Sequence, residues 1–181
     1  YVNGMFKEVL TTGRYAFWKG YLDNTFTKID LSKVEITEAV PVALLENIKV
    51  RAYTRKYQVL NFEKGLLFVN GAFVKELAAG NYYFWINAIP IEVKNVDIRQ
   101  QQMEIAGQEL LTKDKATLRI NFFVRYQVIE AVKALVNNKE YDKQLYVLMQ
   151  LALRALVGSY TLDELLNKKD TISKEILEIM L

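Results

Sequence analysis

The chain has 181 residues, 51% of them hydrophobic and 25% charged, with a net charge of +3 and neither cysteine nor histidine. That composition is globular rather than disordered and suits one domain, or one and a part. It excludes disulfides, thiol nucleophiles, histidine triads and nearly all zinc sites. No apolar run approaches the roughly 20 residues of a bilayer span, and the small charge argues against a dedicated nucleic-acid surface.

The first predicted element is a β module over residues 1–36. Laid against residues 68–99 without a gap, residues 1–32 match at Val2/Val69, Asn3/Asn70, Gly4/Gly71, Phe6/Phe73, Leu10/Leu77, Gly13/Gly80, Tyr15/Tyr82, Phe17/Phe84, Trp18/Trp85 and Asp30/Asp97. Average residue usage gives roughly two identities by chance over such a span. A two-residue gap extends the match to Val34-Glu35-Ile36 against Met103-Glu104-Ile105, so residues 1–36 read as a partial duplicate of 68–105. Asn-Gly between apolar runs is a hairpin signal, because a type I′ turn needs φ > 0 at both central positions. Residues 1–32 and 68–99 are therefore expected to superpose strand for strand.

Residues 37–64 read as a connector followed by a strand. Pro41 is expected to discourage helix across the junction, and residues 48–60 to form the strand. The cations of KVRAYTRKY, Lys49, Arg51, Arg55 and Lys56, cluster there. Their ordinary reading is an edge strand protected by charge; the sharper one is contact with an anionic lipid surface.

Residues 65–181 are expected to form the main domain. The second β module occupies 65–105, where the apolar parity changes across Arg99–Gln102, predicting a bulge in that stretch. A half-buried strand follows, with Leu118, Ile120, Phe122, Val124, Tyr126 and Val128 on one face and Phe123 the apolar exception on the other. The preceding LLTKDKATL reads as its hairpin turn. Ile129, Val132, Leu135 and Val136 then mark a short helix. Leu145, Leu148, Leu151, Ala152, Ala155 and Leu156 mark a longer one ending at Gly158. Thr161-Leu-Asp-Glu164 fits a capping box, and a last apolar stripe runs to residue 181. Copy one starts abruptly and that stripe stops at full strength, so the sequence reads as cut at both ends.

Candidate chemistry is sparse. Ser32, Ser159 and Ser173 lie in no G-x-S-x-G elbow and no Ser-x-x-Lys arrangement, and there is no Gly-rich phosphate loop. Asp163 and Glu164 read as favourable charge in a helix first turn rather than as an acid–base pair. No catalytic residue, cofactor or metal site is assigned. Tyr15, Phe17, Trp18, Tyr82, Phe84 and Trp85 fit a strand core better than a bilayer interface, the other environment that suits Trp and Tyr.

Three stretches carry a family resemblance: GLLFVNGAFVKELAAGNYYFW (65–85), VDIRQQQMEIAGQELLTKDKATLRINFFVRYQV (96–128) and QLALRALVGSYTLDELLNKKDTISKEI (150–176). Together they resemble the SPFH/band 7 (stomatin/prohibitin/flotillin) family, in its prokaryotic stomatin-like (slipin) branch. Lys168-Lys169 stand where that family commonly carries an arginine. The resemblance implies an α+β fold, a curved antiparallel-rich sheet followed by helices. It also implies a non-enzymatic, peripherally membrane-associated scaffold on the cytoplasmic side that assembles into homo-oligomers. NfeD-type membrane proteins and membrane proteases are the partners it implies, with no nucleic acid. The competing readings are a soluble adaptor or nucleic-acid module and a carboxylate-based hydrolase. With the apolar side of residues 139–158 spent on the sheet, this stretch of chain is expected to be a monomer or weak dimer in dilute solution.

Overall fold

The computed structural model describes residues 1–18, 20–36, 40–168 and 171–180. Residues 37–39 of the connector and Lys169 fall outside them. The chain forms two compact units, Tyr1–Asn95 and Val96–Leu181, dividing inside the stretch 65–181 that the sequence groups together.

In the first unit, helices α1 (Val42–Leu45) and α2 (Ile48–Arg51) precede strands β1 (Thr54–Val59), β2 (Glu63–Val69), β3 (Ala72–Leu77), β4 (Gly80–Trp85) and β5 (Ile91–Asp97). β1 pairs antiparallel with β4, and β3-β2-β5 form a second sheet. The β2–β3 hairpin turns on Asn70 and Gly71, at φ 53° and 76°, with Val69 opposite Ala72. Both residues are left-handed, as a two-residue type I′ turn requires. Val59, Leu67, Leu77, Phe84 and Ile91 form the core between these strands. Gly65 lies against it so closely that a Cβ there would stand 2.7 Å from Cγ2 of Val59.

Copy one keeps the turn and loses the strands. Asn3 and Gly4 have φ 49° and 77°, and Val2 bridges Met5 just as Val69 faces Ala72. Among the described residues of 1–36, however, there are only isolated bridges, Val2 to Met5, Val2 to Asn24 and Glu35 to Phe84. The expectation of strand-for-strand superposition is not met. In copy two the turn joins two strands of six and seven residues; in copy one it closes on the single Val2–Met5 bridge.

Two local expectations also change. Pro41 does not stop helix but caps it: with φ −58° it precedes α1 and its carbonyl accepts from Leu44 N and Leu45 N. A proline is well tolerated at a helix start, where the missing N–H would be unpaired anyway. Residues 48–51, expected as strand, are α2, capped by the Asn47 side chain accepting from Lys49 N at 3.0 Å.

The second unit holds β6 (Gln101–Leu111), β7 (Thr117–Tyr126), α3 (Tyr141–Ser159), α4 (Leu162–Asn167) and α5 (Ile172–Met180). β6 and β7 form a long antiparallel hairpin. Leu118, Ile120, Phe122 and Val124 pack on a core of Ile105, Leu110, Met149, Leu153, Leu156, Val157, Leu165 and Ile176, while Phe123 is exposed on the far face. The expected bulge at 99–102 is instead a break: the chain leaves β5 at Asp97, whose carboxylate accepts from Arg99 N and the guanidinium, and resumes at Gln101. The true bulge falls between Ile105 and Gln108, where Gly107 takes φ 68° and its N–H donates to Asn121 Oδ1.

The predicted turn at 112–116 is present, with Thr112 Oγ1 donating to Asp114 and accepting from Ala116 N. Asp114 also accepts from Leu162 N at the start of α4. The short helix expected around 129–136 is largely a π-helical turn, Lys133–Asn137. α4 opens with the predicted capping box, Thr161 accepting from Glu164 N and Glu164 from Thr161 N. α3 runs one residue past Gly158 and is apolar on two faces. Met149, Ala152, Leu153, Leu156 and Val157 are buried, whereas Leu148 and Leu151, expected in the core, are each 52% exposed beside Val147. The expectation that the sheet uses up the apolar side of this helix is thereby corrected.

Candidate functional site

The predicted basic residues sit on α2 and β1 and have different partners. Lys49 Nζ donates to the Lys7 carbonyl at 2.8 Å, bringing α2 against copy one. Arg51 is exposed at the end of α2. Arg55 is half-buried, its guanidinium donating to the carbonyls of Asn87 at 2.9 Å and Ile89 at 3.4 Å, so it holds the β4–β5 loop. Lys56 pairs with Glu46 at 2.6 Å, and Tyr83 O–H donates to the same Glu46 oxygen. Hydrogen bonds from Lys56 and then Tyr83 hold the Glu46 carboxyl below the usual glutamate range; the bond to Glu46 pushes Lys56 and Tyr83 up. Lys49 and Arg51 are exposed on α2, whereas Arg55 is tied to the carbonyls of Asn87 and Ile89 and Lys56 to Glu46.

The duplicated aromatics part company in space. In copy two, Phe84 is 3% and Trp85 1% exposed: Phe84 packs in the β1–β4 core, and Trp85 packs with Leu45 and Val50. In copy one, their counterparts Phe17 and Trp18 are 43% and 93% exposed, and Tyr21 is fully so. The core reading holds for copy two and fails for copy one, because β4 is zipped to β1 over six residue pairs and residues 14–18 join no strand.

Ser32, Ser159 and Glu164 have structural partners. Ser32 donates through N and Oγ to Asp30, Ser159 Oγ donates to the Leu156 carbonyl, and Glu164 serves the capping box. Among the described residues no group of three or more acidic side chains is placed to hold a metal, and no helix is long and apolar enough to cross a membrane.

Residues 57–181 match the model of the SPFH domain / Band 7 family. The chain belongs to that family. A Methanocaldococcus jannaschii protein is 36% identical over 123 residues, 67% of this chain and 60% of the relative. A stomatin homolog of Pyrococcus horikoshii is 32% identical over 124 residues, 67% of this chain and 45% of the relative. Stomatin-1 of Caenorhabditis elegans is 25% identical over 148 residues, 82% of this chain and 42% of the relative. The chain thus spans about half the length of the curated relatives it matches. Within the family it is stomatin-like, and antiparallel sheets followed by helices give it the expected α+β fold.

Proposed function

We propose that this SPFH chain is part of a non-enzymatic, membrane-associated scaffold that self-assembles and organises or regulates membrane proteins. The observation that carries the reading is the family match over residues 57–181 together with relatives described as stomatins. NfeD-type membrane proteins and membrane proteases are the partners this reading favours, on the cytoplasmic side. Lys49 and Arg51, exposed on α2, supply charge for an anionic membrane surface. The parent protein, expressed in cells, is expected to float with membranes and to sediment as a large assembly; recovery as a small species in the soluble fraction would overturn the reading.

A further inference from the structure

We propose that the aromatic face of residues 14–28 is a docking surface for an anionic lipid bilayer, with Trp18 and Tyr21 seated at the headgroup level. The proposal rests on the membrane-associated reading above and names the surface. Three observations carry it. First, Trp18 is 93% exposed, Tyr21 107% and Phe26 62%, whereas Trp85, the duplicate of Trp18, is 1% exposed. The same phrase thus serves as core in one copy and as open surface in the other. Second, Tyr15, Phe17 and Phe26, from the same stretch as Trp18 and Tyr21, are contiguous: Phe17 lies 5.1 Å from Phe26 and 6.4 Å from Tyr15, centroid to centroid. They border an apolar cleft of about 720 Å³ lined in part by Phe6, Leu10, Ile29 and Trp85. Contiguous apolar surface of this kind marks an interaction site, and Trp and Tyr are the side chains that concentrate where lipid meets water.

Third, the charge suits one occupant. Residues 9–22 include Arg14 and Lys19 and no carboxylate. Lys7, Glu8 and Lys28 line the cleft, and Lys49 is held beside Lys7. Asp23 falls within this stretch and Glu8 lines the cleft, so residues 7–28 carry four cations, Lys7, Arg14, Lys19 and Lys28, against two acids. Against anionic headgroups this excess of cations is attractive and acts within a Debye length. Against a second copy in a two-fold contact the same cations would face one another, since such an interface sets a surface patch on itself. A bilayer fits both the rings and the charge.

The test uses the whole 181-residue chain and vesicles of phosphatidylcholine containing about one-third phosphatidylglycerol. Co-sedimentation is expected with these vesicles and not with pure phosphatidylcholine, weakening as salt rises. Tryptophan emission is expected to shift to the blue on binding, and the shift to vanish in Trp18→Phe, because Trp85 is already buried. Trp18→Ala with Tyr21→Ala should lower the bound fraction about tenfold. Both side chains are in solvent, so an unchanged thermal melt assigns that loss to the surface. Vesicle binding that survives the double substitution, or disappears only in Lys49→Glu with Arg51→Glu, overturns the aromatic surface and leaves membrane association standing. Absence of binding to either vesicle also overturns it, while association of the parent protein is judged by its flotation from cells. A fall in the mass of the free chain caused by the double substitution would assign the face to self-association instead.

Discussion

At the scale of single residues, close approach and hydrogen bonding decide what can be changed. Gly65 has no positive φ to defend; what it defends is space. An added methyl would press on Val59, which is 2% exposed and β-branched, so it has no rotamer in which to retreat. Gly65→Ala is expected to cost about 1 to 3 kcal/mol, read as a lowered melting temperature. Glu46 shows a different dependence. Its carboxyl is held below the ordinary value of about 4.3 by Lys56 and Tyr83. A depressed acid stabilises the fold above its unfolded pKa and loses that contribution as pH falls through the folded one. Glu46→Gln should therefore lower the melting temperature slightly at neutral pH, and the difference from the unsubstituted chain should shrink and close as pH falls below the ordinary glutamate range. A gap that persisted into acid would assign the effect of Glu46 to packing. The partners of these residues explain why the basic cluster could not be resolved from sequence. Four cations in eight positions are visible at once, but Arg55 is spent on carbonyls 32 and 34 residues away and Lys56 on a carboxylate from the preceding loop.

At the scale of elements, the local signals were the legible ones. The Asn-Gly turns, the alternation of β7 and the capping box of α4 each depend on residues within a few positions, and each is found where the sequence puts it. Thr161→Ala, which frees Glu164 N, is expected to cost about 1 kcal/mol in the urea midpoint. What was illegible depends on distant pairing. The parity change between β5 and β6 was visible, but whether it marked a bulge or a break depended on Asp97 folding back on Arg99. The real bulge was announced only by Gly107 within an otherwise continuous strand. α3 gives the sharpest contrast. Leu148, Leu151 and Leu153 are close in sequence and equally apolar, yet only Leu153, at 2% exposure, is in the core. Leu153→Ala should cost about 2 to 5 kcal/mol by leaving a cavity, whereas Leu151→Lys should leave the melt nearly unchanged. Equal losses at the two positions would mean that the outward face of α3 is covered.

At the scale of the whole molecule, the fold separates stability from contact. The buried cores within each unit draw on β1–β5 and on β6–β7 with α3–α5, while the exposed apolar groups include Val147, Leu148 and Leu151 on α3, the aromatic face of copy one, and scattered single side chains such as Ile48, Phe123 and Ile129. A stable pairwise interface needs roughly 800 Å² from each partner. The three half-exposed aliphatic side chains that α3 groups together fall well short of it, and the aromatic face carries cations that oppose its own copy. Dilute chain should therefore run as a monomer or a weak dimer, with a mass by light scattering that rises with concentration. Confinement to a vesicle surface raises the effective concentration and should convert that weak tendency into assembly without any new contact. Crosslinking that increases when anionic vesicles are added, and is lost in Leu148→Lys with Leu151→Lys, is the expected outcome. A large assembly in dilute solution, unchanged on dilution and insensitive to both sets of substitutions, would place the self-contact in the strands of the β units and refute the two-surface account.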